Sequence, residues 1–507
     1  MLDGILGKQI TAAHICAAAI LYCIAHGLVT LAAGPALALD DVKLNVVTQS
    51  FQWGYQPENP PLFEWLLILV QQFVGPTLAS FVITKYIFLT AAAVFVFLAA
   101  KEALGDRRWA ALTALSLSLC FQVGWNYHQA FTHSAALVPT VAFLWWALLR
   151  LLRTRRLLDF AILGLAIGAG LLAKYSFAAA LALALVAAAT NAETRRAIFR
   201  PALLVSLAVA LIVLWPHLSW VITQNGQLAA HAAERLHGHE ASYWGRIAKG
   251  VPRAFWASIS FAAPFILVAL AAGGRDLFHW RALPPGAALA RRATIIGVAA
   301  PPLSVLLFGL GHMQERYALA ILFPATFWFA GELMALSGEA RERRIVVFSC
   351  LGLMAAAFSI RIAEVAFPGA PLCKECRQWA PYGALKEALD AEGFENGTLV
   401  GFEDTTAGNL RRLYPHARML SAHMPFYTAP GGAIGDKCYF IWSEELGPRP
   451  PAHILEAIKS AHVIDVDAEW ARVMRGEARR RTRWTIAEMS GAPRLAQRLC
   501  RFSAQDN

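Results

Sequence analysis

Apolar runs recur along the first two thirds of the chain, with short polar connections between them. Runs long enough, or nearly so, to cross a bilayer core that needs about 20 apolar residues fall near 10–32, 79–100, 109–124, 135–152, 157–173, 176–191, 201–222, 254–273, 293–310, 317–337 and 345–364. These eleven runs predict a polytopic α-helical membrane protein. Pro60 to Val74 is also apolar, but it is amphipathic and too short to cross comfortably, which predicts an interfacial or re-entrant helix. The first run is long and no soluble start follows it, so it reads as a span and not as a cleaved leader. Past residue 365 the apolar runs shorten and charge density rises. There the spacing predicts a small α/β domain, with helices over 382–392 and 453–460 and strands over 398–402, 439–442 and 462–466. The expected division is a membrane domain, 1–364, whose residues 33–78 form a first external loop with juxtamembrane helices, and a soluble external domain, 365–507.

Composition agrees: 57% of the 507 residues are hydrophobic, which excludes an ordinary soluble enzyme. A net charge of +11 raises the question of nucleic acid, and its distribution answers it. Basic residues cluster in alternate loops: Lys101, Arg107 and Arg108; Arg150, Arg153, Arg155 and Arg156; Arg195, Arg196 and Arg200; Arg275, Arg281, Arg291 and Arg292; Arg341, Arg343 and Arg344. The other loops carry little beyond Arg235, Arg246, Lys249, Arg253 and Arg316. This is the positive-inside pattern, so the excess reports topology and no nucleic-acid partner is expected. If 60–74 spanned, every cluster would change sides. Leaving it in the interface keeps all five clusters inside and sends 365–507 to the external face.

The candidate chemistry gathers at the ends of the spans. Asp40 and Asp41 stand between the first two spans, and a carboxylate at a membrane surface faces water, a cation or a substrate. It can take a proton from an attacking hydroxyl, or hold a divalent cation beside a phosphate. The structural alternative is that either residue caps a helix over 42–51. Gly54-Tyr55 and Asn59-Pro60-Pro61-Leu62 follow, the prolines fixing an extended entry into the interfacial segment. Trp125 to His128 and Thr132-His133-Ser134 form a second polar loop. Lys174-Tyr175 follows a helix containing Gly164, Gly168 and Gly170, and His312 and Arg316-Tyr317 lie at the end of a later span. Lys174 and Arg316 can bind a phosphate or simply snorkel to the interface. His231, Glu234, Arg235, His237, His239 and Glu240 match no strong zinc spacing and read as a polar loop over a cavity.

Cys16, Cys23, Cys120 and Cys350 lie in apolar runs and read as packing residues. Cys373, Cys376, Cys438 and Cys500 lie in the tail, where disulfides persist. With no second CxxC, Cys373 and Cys376 are candidates for a structural disulfide with partners undetermined. Arg475 to Arg483 reads as a solvated or headgroup-facing basic run.

Taken together, these residues resemble the C-type glycosyltransferases that use polyprenyl-phosphate sugars, the family of protein mannosyltransferases and aminoarabinose lipid A transferases. The resemblance rests on Asp40-Asp41, where the family usually has Asp-Glu, on Gly54-Tyr55, and on Asn59-Pro60-Pro61-Leu62, where His-Pro-Pro-Leu is common. The stretch from Gly168 to Lys174 and the pair Arg316-Tyr317 also look like family positions. A further Asp that many relatives carry around Thr132-His133-Ser134 is absent here. The resemblance implies a bacterial inner-membrane enzyme of hexosyl or pentosyl type, with its active site on the periplasmic side. It implies a polyprenyl-phosphate-linked sugar donor and a lipid or glycan acceptor, with membrane lipids around the spans. Asp40 takes the catalytic position, with Asp41 as support and Asp40 as the ligand of any divalent cation. Substrate contacts are expected from Tyr55, Asn59, His133, Lys174, Tyr175, Arg235, His312, Arg316 and Tyr317. The alternatives are a transporter or lipid flippase, or a catalytically inactive relative.

Overall fold

The computed structural model describes residues 10–500 apart from 130–131, 225, 227–241, 275, 277–278, 280, 312–314, 337–338, 374, 423, 425, 431–436, 460, 475–477 and 490–499. Seven of the described helices are long and apolar enough to cross a membrane: Ala12–Ala33, Leu78–Leu104, His133–Thr154, Leu203–Thr223, Tyr243–Gly273, Pro285–Phe308 and Ala340–Ala366. The run expected over 317–337 is a helix pair, Arg316–Leu322 and Ala325–Met334, bent by 55°. The two expected over 157–173 and 176–191 form shorter helices, Leu157–Ala173 and Phe177–Ala189. The expectation of one continuous span over 109–124 is corrected. That segment breaks into Arg107–Leu115, a 3-10 turn Ser116–Leu119 and the short helix Phe121–Gly124. Its serine hydroxyls bond back to the chain, Ser116 to Thr113 O and Ser118 to Leu115 O, which competes with a regular helix.

The chain forms two compact units. One comprises Met1–Ile24, Pro57–Leu62 and Lys85–Ala357, and the other Ala25–Gln56, Phe63–Thr84 and Phe358–Asn507. In the first, small residues allow close helix packing. A side chain at Gly164 would meet Ser206 O at 2.5 Å, and one at Gly168 would meet Val213 at 2.8 Å. The Ser206 hydroxyl donates to Phe160 O across the same seam at 2.7 Å.

The second unit holds a five-stranded sheet: β1 (Thr398–Gly401), β2 (Arg418–Ser421), β3 (Cys438–Trp442), β4 (His462–Glu469) and β5 (Arg481–Glu488), in the order β2-β1-β3-β5-β4. β2, β1 and β3 run parallel, while β5 pairs antiparallel with both β3 and β4. The run Arg475 to Arg483, read as a solvated or headgroup-facing basic run, ends in a strand whose arginines are exposed. Arg481 and Arg483 stand on the exposed face of β5 and pair with Asp467 and Glu469 of β4. Trp484 and Ile486 alternate with them into the core. Two disulfides join Cys373 to Cys376 and Cys438 to Cys500. The core under the sheet contains Tyr382, Leu385, Leu389, Leu410, Tyr439 and Trp484. It also contains Ala36 and Val46, from the segment between the first two apolar helices. The amphipathic helix Leu62–Val74 buries Phe63, Leu67 and Val70 and exposes Leu69 and Phe73. At about 1.5 Å per residue its 13 residues are too short for a bilayer.

Candidate functional site

The carboxylates stand on a short helix, Asp40–Val47, within the second unit. It starts two residues before the expected position, and neither carboxylate caps it. The residue before the first turn is Leu39, at φ 54°, and its side chain makes no capping hydrogen bond. Asp40 and Asp41 occupy the first turn itself, where the helix dipole favours negative charge. Asp40 is exposed, whereas Asp41 is only 7% exposed. One acid can meet a substrate hydroxyl directly; the other is set beneath the surface.

Behind this helix lies a buried polar network. The Asn45 amide donates to Gly408 O at 2.8 Å and to Pro76 O at 3.2 Å, and accepts from Gln71 at 3.1 Å. Arg411 donates to the carbonyl of Asn45, to Thr48 Oγ1 at 2.7 Å, to Thr48 O at 2.9 Å and to Gln71 Oε1 at 3.1 Å. Burial pushes its guanidinium down to about 10, so it stays charged at neutral pH. A cation bonded to the last carbonyls of one helix, with two carboxylates in its first turn, complements the dipole at both ends.

Along the following loop, Tyr55 is buried with its hydroxyl donating to Ser50 O at 3.2 Å and accepting from Gln52 N at 2.9 Å. The hydroxyl thus shapes the loop, and burial raises its pKa above the usual phenol range. Ser50 also bonds Tyr427, whose hydroxyl burial pushes up to about 12. Phe51, Trp53 and Trp65 stack edge and face into an aromatic cluster, with Phe51 and Trp53 exposed. Glu64, fully buried, accepts from Gln56 at 3.3 Å; sequence reasoning passed over it because it lies within an apolar helix.

In the first unit, His133 opens the helix His133–Thr154, and its Nδ1 meets Thr132 Oγ1 at 3.1 Å. Lys174, just past the end of helix Leu157–Ala173, reaches Ser134 Oγ at 2.6 Å. His133, Ser134 and Lys174 therefore share one locale. Tyr175 bonds His217 Nε2 at 3.0 Å, and that ring stacks on Trp220. The Arg316 guanidinium lies 5.4 Å from the centre of the Tyr317 ring. Asn59 is half-buried. Arg235 and His312 lie outside the described residues. The structure adds Lys85, a charge within an apolar run. Buried in helix Leu78–Leu104, it donates to Gln129 O at 2.7 Å, next to the residue whose partner Tyr86 is, His128.

Among the described residues no group of three or more His, Cys, Asp or Glu forms a metal cage. Asp40 and Asp41 offer two carboxylates, a donor set that suits only a cation whose remaining ligands come from water or a substrate phosphate.

Comparison with known proteins gives these features a context. The family model described as dolichyl-phosphate-mannose-protein mannosyltransferase matches residues 58–220. The structure of ArnT from Cupriavidus metallidurans in the apo state superposes with a TM-score of 0.61 at 12% identity, covering 93% of this chain and 97% of that one. ArnT bound to undecaprenyl phosphate gives 0.58 over the same shares. At that identity the match concerns the fold: a bundle of apolar helices carrying a sheet domain. In sequence, the lipopolysaccharide core galacturonosyltransferase RgtB of Rhizobium johnstonii is 30% identical over 409 residues, 79% of this chain and 81% of that protein. RgtA of the same organism is 27% identical over 407 residues, 78% and 79%. The fold and the sequence agree on the class, a multi-spanning membrane glycosyltransferase. This chain belongs to the C-type glycosyltransferase family. Kinship of that extent bears out the expected sugar transfer and lends no support to the transporter alternative.

Proposed function

We propose that this protein moves a uronic acid, of the galacturonosyl kind, from a polyprenyl-phosphate donor to a sugar of the envelope lipopolysaccharide. The similarity to RgtB and RgtA over nearly four fifths of the chain carries this reading of sugar and acceptor. The undecaprenyl phosphate named with ArnT supports the choice of donor. The similarity to bacterial membrane glycosyltransferases supports a bacterial inner membrane, and the positive-inside pattern supports an orientation with the carboxylates and residues 365–507 on the periplasmic side.

The chemistry assigned to the residues is as follows. An acceptor hydroxyl gives its proton to Asp40, the exposed acid of the pair. Its oxygen bonds the anomeric carbon as the bond from that carbon to the phosphate oxygen breaks, and the electron pair leaves with the phosphate. Asp41, buried beside Asp40, supports that acid's placement. The departing phosphate calls for convergent positive charge, for which Lys174, Arg316 and the buried Lys85 are the candidates. A lysine buried within a membrane helix is rarely without a function. A divalent cation, if used, would be held by Asp40 and would supply further positive charge for the leaving phosphate.

The test is mass spectrometry of lipopolysaccharide core from a strain lacking this gene, with and without the gene restored. Loss of one uronic acid that only the active gene restores is the expected result. An unchanged core, with loss of a neutral or amino sugar elsewhere in the envelope, overturns the assignment of the sugar.

A further inference from the structure

The segment bearing the carboxylates is gripped on both sides by a single helix of the sheet domain, Asp404–Leu413, in the same compact unit. Ahead of the acids, the Asn409 side chain pairs with the backbone of Leu37. Its Oδ1 accepts from Leu37 N at 2.8 Å and its Nδ2 donates to Leu37 O at 3.1 Å. Behind them, Arg411 and Gly408 O hold Asn45 and Thr48. Between these grips the two helix backbones touch: a Cβ at Gly408 would come within 2.3 Å of Val42 O. Both Asn409 and Leu37 are fully buried.

The held segment contains a backbone outlier. Leu39, directly before Asp40, sits at φ 54° and ψ −129°, with its side chain 55% exposed. An L residue rarely adopts that conformation, and it persists only where the surroundings over-determine it. Nothing about an exposed leucine side chain enforces that geometry. The Asn409 grip two residues earlier and the Gly408 contact three residues later can do so.

We propose that Asn409 and Arg411 are positioning residues for sugar transfer: through Leu37, Asn45 and Thr48 they fix the strained turn that aims Asp40 and Asp41. This rests on the reading of Asp40 and Asp41 as the acidic pair of the reaction. It assigns the sheet domain a part in turnover: the domain sets the acids and touches no substrate in doing so. Loss of either grip therefore lowers the rate of the bound complex and leaves donor binding alone, because displacement of a reacting group by about 1 Å costs up to about 100-fold in rate.

The experiment uses the full-length enzyme in membranes, with polyprenyl-phosphate galacturonic acid as donor and lipopolysaccharide lacking the added sugar as acceptor. Four variants are compared per folded molecule: Asp40→Asn, Asp41→Asn, Asn409→Ala and Arg411→Lys. The last keeps the charge and loses the planar fork. Expected are near-complete loss for Asp40→Asn, and kcat lower by about 10- to 100-fold for Asn409→Ala and Arg411→Lys with donor KM within about twofold of wild type. If Asn409→Ala does not accumulate, Asn409→Asp keeps the Leu37 N–H bond, loses the other, and gives a smaller fall in kcat. Wild-type kcat in the grip variants alongside inactive Asp variants overturns the positioning role alone. A raised donor KM at unchanged kcat overturns it too. Wild-type turnover in both Asp variants removes the acidic pair itself from the mechanism.

Discussion

Gly408→Ala probes the closest backbone approach in the second unit, and its cost can be worked from the geometry. The added methyl would sit 2.3 Å from Val42 O, 2.6 Å from Val42 Cα and 2.7 Å from Val42 C, all main-chain atoms with no rotamer to yield. Relief to ordinary contact at 3.4 Å requires the helices to part by about 1 Å, an overpacking that costs about 1–3 kcal/mol. The same shift stretches the 2.8 Å bond from Asn45 to Gly408 O beyond bonding range, leaving a buried amide short of a partner for about 1–3 kcal/mol more. Alanine returns about 1 kcal/mol through its better helix propensity, so the net loss is about 1–5 kcal/mol. Thermal unfolding of the purified full-length protein, followed by tryptophan fluorescence, reads this out, since Trp470 and Trp484 are buried in the affected core. Gly383→Ala is the control. It lies on helix Tyr382–Ala391 with nothing within 4 Å of an added Cβ, and should be neutral or slightly stabilising. Equal melting temperatures for the two variants would refute the described packing of helix Asp404–Leu413 on helix Asp40–Val47.

Three further outcomes are expected. Burial pushes the Glu403 carboxyl from 4.5 up to about 7, so the folded protein holds a proton that the unfolded chain has released between those values. Stability is therefore greatest below about pH 4.5 on this account, falls as pH rises to 7, and is lower by about 3 kcal/mol above it. Glu403→Gln should flatten that part of the profile in denaturation measured from pH 5 to 8. If Lys174 and Arg316 share the donor phosphate as proposed, Lys174→Ala and Arg316→Ala should each weaken donor use by about 1.5–3 kcal/mol, and the double variant should lose less than the sum. Wild-type transfer at limiting donor in both single variants would leave Lys85 to carry that role. Finally, cysteine labelling of intact cells should find 101–108, 150–156 and 341–344 protected and the C-terminal region accessible, and a protected C-terminal region would overturn the assignment of sides.

Much of this arrangement was legible in the sequence, because apolar length and charge asymmetry are local properties. The short amphipathic helix, the acids ahead of it and the change of pattern near 365 all follow from residues close together in the chain. The grip helix was not legible. No element was expected over 404–411, yet the segment is helical and buries Thr406, Asn409 and Arg411. The partners Leu37, Asn45, Thr48 and Gln71 that hold Asn409 and Arg411 lie more than 300 residues away, so no window along the chain contains that compensation. The strand Arg481–Glu488 was missed for a related reason: its arginines are matched by acids of a strand that pairs with it. The break near Ser116 was hidden because serine suits an apolar helix in composition while its hydroxyl competes for the backbone.

The pairing of Leu37 with Asn409 spans 372 positions, and the Gln49 amide bonds both N–H and C=O of Met419 on edge strand β2 at a similar separation. During synthesis at about 5–20 residues per second, the acidic segment is made roughly 20–75 s before the helix that grips it. For that interval Leu37, Ala36 and Val46 have no core to enter, and the strained turn at Leu39 has nothing to hold it. When β2 is made, its open edge in turn depends on a glutamine translated long before. The segment bearing the two acids therefore reaches its folded geometry only as the last quarter of the chain folds, so a nascent or truncated chain carries Asp40 and Asp41 without the contacts that hold them.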